Sequence, residues 1–328
     1  MIDRIGQLFI TGFEGELPSD DFLRFFKEEN LGGLILFEEQ CNPHKIAEAT
    51  IAQIVAVADE APFIAVDQEG GRVCRFRGVP AEFPSPAVFG EKNDIESYKE
   101  WLHRSTYYLK SLGLNLWLGP VADLNLDKRN KCLESRTFHS NPVRAIKFIE
   151  AAIRTAQSAG LLTCLKHFPG LGATHNDPHT ELAIGDYDFE TFLNRESLTF
   201  KAGIDIGADM VMTTHLHLPA IDKEMATNSP HIIGHLLRDK LNFDGIVITD
   251  DLLMNGSKSL GDFGERAFNA FTAGHDILLF GRNYMATKMA IEYFKKAYKD
   301  GTLDKDMVEK SLGRISGVKL KMVSSVIL

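Results

Sequence analysis

The chain has 328 residues, with 36 Lys and Arg against 45 Asp and Glu, and a formal charge of -9 when histidine is neutral. Apolar residues make up 44 % and charged residues 25 %, the composition of a globular chain and not of a disordered one. The acidic surplus, with no clustered run of Lys and Arg, speaks against a nucleic-acid groove, which relies on such clusters to hold phosphate.

The opening MIDRIGQLFITGFEG has no basic start followed by a long apolar core, so no signal peptide is read. No apolar run approaches the ~18 residues of a membrane span. Cys41, Cys74, Cys132 and Cys164 are scattered without a C-x-x-C pair, which points to reduced thiols and a cytoplasmic setting.

Eight short apolar runs follow one another: QLFIT (7–11), GLILF (33–37), FIAVD (63–67), NLWL (115–118), LTCLK (162–166), DMVMT (209–213), IVITD (246–250) and DILLF (276–280). None alternates cleanly with polar residues, so each reads as a strand buried on both faces. Helical patterns lie between them. Asn42-Pro43 reads as an N-cap with a proline at the first helical position, before Ala47, Ile51, Ile54, Val55 and Ala58 at one-face spacing. Asn141-Pro142 repeats the device before Ile146, Ile149, Ile153 and Ala156, with Gly160 as the stop. Val308, Leu312 and Ile315 continue the spacing in the tail. Strands alternating with helices, without a linker, predict an α/β fold: one (β/α)8 TIM-type barrel over 1–328, with no second C-terminal domain.

In such a barrel the chemistry sits at the C-terminal ends of the strands. Those positions hold Asp67, Asp123, Lys166-His167, His215 and Asp250-Asp251. The connection over 168–188 shows no helical period and carries His175, Asp177 and His179, which reads as a lid or binding loop. Asp177-Pro178-His179 sets a carboxylate two residues from an imidazole, an arrangement that charges the ring and fits a proton donor near neutral pH. The same pattern fits local turn hydrogen bonds. Asp250-Asp251 fits a nucleophile with a supporting neighbour, and equally a helix N-terminus. Gly70-Gly71 after Asp67 allows a tight turn close to a ligand but forms no nucleotide motif. His215-x-His217 opens a metal-dependent hydrolase as an alternative of a different class.

The ordered set VDQEGGRVCRF, GPVADL, SRTFHSNP, KHFPGLG, DPH and TDDLLM resembles glycoside hydrolase family 3, in its single-domain bacterial β-N-acetylhexosaminidase branch. The resemblance implies a retaining exo-β-N-acetylglucosaminidase that needs no cofactor or metal and acts on a carbohydrate, with cell-wall recycling fragments as candidate substrates. From the charge balance and the apolar runs no nucleic-acid or membrane partner is expected, and the sequence is compatible with a monomer. Asp250 would be the nucleophile, His179 the acid/base, and Asp177 the group that orients and charges His179. Asp67, Arg75, Arg136, Lys166 and His167 would hold the N-acetylglucosamine unit. The same scaffold could serve a phosphorylase, with phosphate replacing water. Leu171 and Ala173 stand where the family usually has His and Asp, and Pro178 stands where a small polar residue is common.

Overall fold

A computed structural model describes residues 1–174, 177–178 and 180–324. Each of the eight apolar runs forms a strand of one parallel sheet. These are β1 Phe9–Thr11, β2 Gly33–Leu36, β3 Phe63–Val66 and β4 Leu116–Trp117. They continue as β5 Leu162–Phe168, β6 Met210–Thr213, β7 Ile246–Ile248 and β8 Leu278–Phe280. The order across the sheet is β7-β6-β5-β4-β3-β2-β1-β8. A bridge between Ile248 and Ile277 brings the two edges together, and the sheet curls into a (β/α)8 barrel. The missing alternation is explained by this closure: one strand face fills the barrel and the other lies under the helices.

The helices follow the predicted starts with one exception. Asn141 accepts from the Arg144 N–H at 3.2 Å and starts the helix Pro142–Ser158, and Gly160 follows its end at φ 77°. The helix His44–Val57 instead has Pro43 at its N-cap, and Asn42 does not cap it. Asn42 Nδ2 donates to the Arg75 carbonyl at 2.5 Å, and its Oδ1 accepts from the Arg77 N–H at 3.1 Å. That side chain is spent on positioning Arg75.

The last helix, Lys305–Ser324, meets residues that precede three strands. Lys319 donates to Gln7 Oε1 at 2.6 Å, Arg314 to Asp276 at 2.9 Å and Lys321 to Asp209 at 2.8 Å. Gln7, Asp276 and Asp209 lie at the N-terminal ends of β1, β8 and β6, so this helix packs against the barrel floor. The open end is the C-terminal face, where the strand-end polar residues collect.

Candidate active site

β5 runs two residues beyond the expected end, so Lys166 and His167 are held by strand backbone and are nearly fully buried. The Lys166 ammonium bridges two carboxylates, Asp67 Oδ1 at 2.6 Å and Glu69 Oε1 at 2.7 Å. Glu69 is gripped in turn by Arg136, through Nε at 2.7 Å and a second guanidinium nitrogen at 2.8 Å. Arg75 reaches the other Asp67 oxygen at 3.4 Å. Arg75 Nε is buried with no hydrogen bond among the described residues.

Arg136 also lies 3.2 Å from His167 Nε2. A guanidinium only donates, so Nε2 accepts and Nδ1 carries the proton. That Nδ1–H points to Asp123 Oδ2 at 2.7 Å, and the His167 backbone N–H reaches the same oxygen at 3.1 Å. The second Asp123 oxygen accepts from the Leu171 N–H at 2.7 Å, tying the start of the long connection to the network. Leu171 itself is buried, so the departure from the family pattern faces the core.

Burial alone would favour neutral groups here. For Glu69, burial is outweighed by Arg136 and Lys166, and the carboxyl is held well below its ordinary value. For Asp67, burial is outweighed by Lys166 and Arg75, with the same direction. Lys166 moves upward: burial opposes its charge, but Asp67 and Glu69 more than compensate. The result is a buried, ionised lattice with its charges paired.

Asp250 follows β7. Its Oδ1 accepts from the Asp251 N–H at 2.8 Å, and the Thr214 hydroxyl lies 3.5 Å from its Oδ2. Asp251 has a different task, since its Oδ1 accepts from the N–H groups of Leu253 and Gly281, both at 2.9 Å. It fastens the turn after β7 to the end of β8.

Asp67, Arg75, Arg136, Lys166, His167, Asp177 and Asp250 all line one cavity of about 400 Å³. His179 and His175 lie outside the described residues. The chain beside His179 is anchored near β7, because the Gly256 N–H donates to the Pro178 carbonyl at 3.1 Å. Thr180 and Glu181 turn back onto the Asp177 carbonyl at 2.9 and 3.0 Å. Cys132 also lines the cavity, and burial pushes its thiol up to about 12, which keeps it neutral.

Two sequence readings change in detail. Gly70 and Gly71 adopt φ of 91° and 59°, and a Cβ on Gly70 would sit 2.5 Å from the Pro84 carbonyl oxygen. The pair serves close packing of the hairpin that carries Glu69, where the sequence suggested approach to a ligand. His215 is buried with both ring nitrogens engaged, Nδ1 with the Thr227 hydroxyl at 2.7 Å and Nε2 with the Asp251 carbonyl at 3.0 Å. That is the bonding of a structural histidine supporting the Asp250-Asp251 turn. His217 lies in the two-residue strand Leu216–His217, paired with Ala183–Ile184. Among the described residues no group of three His, Cys, Asp or Glu gathers as a metal set.

The sequence placed Asp123 at a strand end without naming its partner, and it gave no role to Glu69. A buried arginine needs a counter-charge, and Glu69 in the quoted DQEGGR run was the available acid.

The family described as "Glycosyl hydrolase family 3 N terminal domain" matches residues 1–318. The chain is similar to a Beta-hexosaminidase A of Pseudoalteromonas piscicida, at 31 % identity over 325 residues, covering 90 % of this chain and 54 % of that protein. It is similar to a Beta-hexosaminidase of Stenotrophomonas maltophilia strain K279a, at 32 % over 278 residues, covering 82 % of this chain and 81 % of that one. Among solved structures, it resembles a glycoside hydrolase family 3 beta-N-acetylglucosaminidase from Paenibacillus sp. str. FPU-7. The TM-score is 0.94 and the identity 31 %, covering 98 % of this chain and 62 % of that one. The chain therefore spans little more than half of the first relative and under two thirds of that structure.

Proposed function

The chain belongs to glycosyl hydrolase family 3, and from that premise we propose that it is a retaining exo-β-N-acetylglucosaminidase. The observation that carries the reading is that one cavity gathers Asp250, Asp177 and the five residues expected to hold the sugar. In this reading Asp67, Arg75, Arg136, Lys166 and His167 hold the N-acetylglucosamine unit.

Asp250 attacks the anomeric carbon and forms a glycosyl ester as the bond to the leaving oxygen breaks. His179, charged through Asp177, gives that oxygen its proton. In the second step His179 takes a proton from water, whose oxygen displaces Asp250 with a second inversion and net retention. The Asp251 N–H on Asp250 Oδ1 stabilises the carboxylate when it departs.

Cell-wall recycling fragments fit as natural substrates by family analogy, and four unpaired, buried cysteines fit a reducing cytoplasm. The test is turnover of aryl β-N-acetylglucosaminides, with and without phosphate. Free N-acetylglucosamine as product supports hydrolysis, sugar 1-phosphate replaces it with phosphorolysis, and binding without turnover rejects both. The expected signature of His179→Ala is a far greater loss on poor leaving groups than on activated ones. Equal losses remove it from the acid role.

A further inference from the structure

Two residues beyond the end of β8, Arg282 forms part of the wall of the cavity just described. It also walls a second hollow of about 300 Å³, together with Phe13, Leu17, Ser19, Tyr284 and Met285. The guanidinium stands at the boundary, donating to Glu39 Oε1 at 2.7 Å and lying 4.6 Å from the centre of the Phe37 ring. Phe37 follows β2 and faces the first cavity. Beyond Arg282 the lining is mixed: Glu14, Ser19 and Asn283 stand among Phe13, Leu17, Tyr284 and Met285, and Leu17 and Met285 are each 51 % exposed.

The order of strands gives the direction. Asp67 follows β3, Asp123 follows β4, and Lys166 and His167 belong to β5, so the sugar-holding network occupies that arc of the ring. Asp250 follows β7. Continuing around the ring come β8 and β1, and the residues after these two strands build the second hollow. The β8–β1 side therefore lies across the ring from the sugar-holding arc, and Arg282 is a residue that lines both cavities.

We infer that the hollow after β1 and β8 receives the leaving group. The enzyme then selects β-N-acetylglucosaminides whose aglycone is a flat apolar group that passes the Arg282 guanidinium and covers Leu17 and Met285. This rests on the N-acetylglucosaminidase reading and adds a substrate class to it.

Calorimetric binding of two thioglycosides, which resist cleavage, tests the inference. They are methyl and 2-naphthyl 1-thio-β-N-acetylglucosaminide. Burial of the naphthyl face predicts about tenfold tighter binding of the second by the intact protein. The double variant Leu17→Asp/Met285→Asp loses that preference and keeps the affinity for the methyl compound, which also reports that it is folded. Equal affinity for both compounds in the unchanged protein overturns the inference alone, as does a naphthyl preference that survives in the variant. Failure of both compounds to bind the unchanged protein rejects the N-acetylglucosaminidase reading, and the inference falls with it.

Discussion

Asp123 accepts two hydrogen bonds from His167, one from the ring Nδ1 at 2.7 Å and one from the backbone N–H at 3.1 Å. Two bonds to one oxygen fix both the position of the ring and the nitrogen that carries its proton. Nε2 is left as the acceptor facing Arg136.

Asp123→Asn tests this relationship. An amide can present NH2 where the carboxylate oxygen stood, which opposes the Nδ1–H. The expected loss in kcat/KM is about 10- to 100-fold, with KM carrying a larger share than kcat because His167 is assigned to sugar binding. Steady-state kinetics decides it. A loss confined to the melting temperature, with kinetics unchanged, assigns Asp123 to folding only.

Glu69 is the acid through which Arg136 and Lys166 are both neutralised. Glu69→Gln leaves buried cations short of a counter-charge and should cost about 3–5 kcal/mol in denaturant unfolding at neutral pH. The sign with pH follows from the lowered native value. The stabilisation is complete above the ordinary carboxyl value of 4.5 and is lost as pH falls below it toward the native value. Stability of the unchanged protein should therefore fall more steeply below pH 4.5 than that of the variant. Parallel curves would contradict the ionised lattice.

Lys319, at the barrel floor, carries a signature of the same sign at alkaline pH. Burial lowers its ammonium from 10.5 to about 8, although it donates to Gln7 and lies 5.1 Å from the Phe63 ring centre. Between those two values the unfolded chain binds more protons than the folded one, so this group makes stability rise with pH from about 8 to 10.5. Urea unfolding of Lys319→Met should show that rise removed. An identical slope in both proteins would show that Lys319 is not the group responsible.

Gly256 offers a test of the long connection. A Cβ there would lie 2.9 Å from both the Pro178 carbonyl oxygen and His215 Cβ, so Gly256→Ala should displace the Asp177-Pro178 segment. The predicted outcome is at least about a tenfold drop on substrates with poor leaving groups and little change on activated aryl glycosides. Comparing kcat for the two substrate types measures it.

The barrel was legible because closure buries both faces of each strand, which leaves an apolar run such as Phe63–Val66 as its trace. The strand-end rule then located Asp67, Asp123, Lys166, His167 and Asp250, though not which of them pair. What stayed hidden depended on partners distant in sequence. Glu69 meets Arg136 across 67 positions and Asp123 meets His167 across 44. Asn42 read as a helix cap because capping is a local habit of that residue, while its partners, Arg75 and Arg77, lie a strand away. The hollow beside Arg282 left no local pattern, since Leu17 and Met285 come together only when β1 and β8 pair.

As the proposed nucleophile, Asp250 becomes covalently bonded to the sugar during turnover. Mass spectrometry of the protein after reaction with a slow 5-fluoro N-acetylglucosaminyl fluoride tests it most directly. One glycosyl adduct is expected, mapped by proteolysis to Asp250 and missing in Asp250→Ala. Turnover with no adduct in the unchanged protein, or an adduct on another residue, would contradict it.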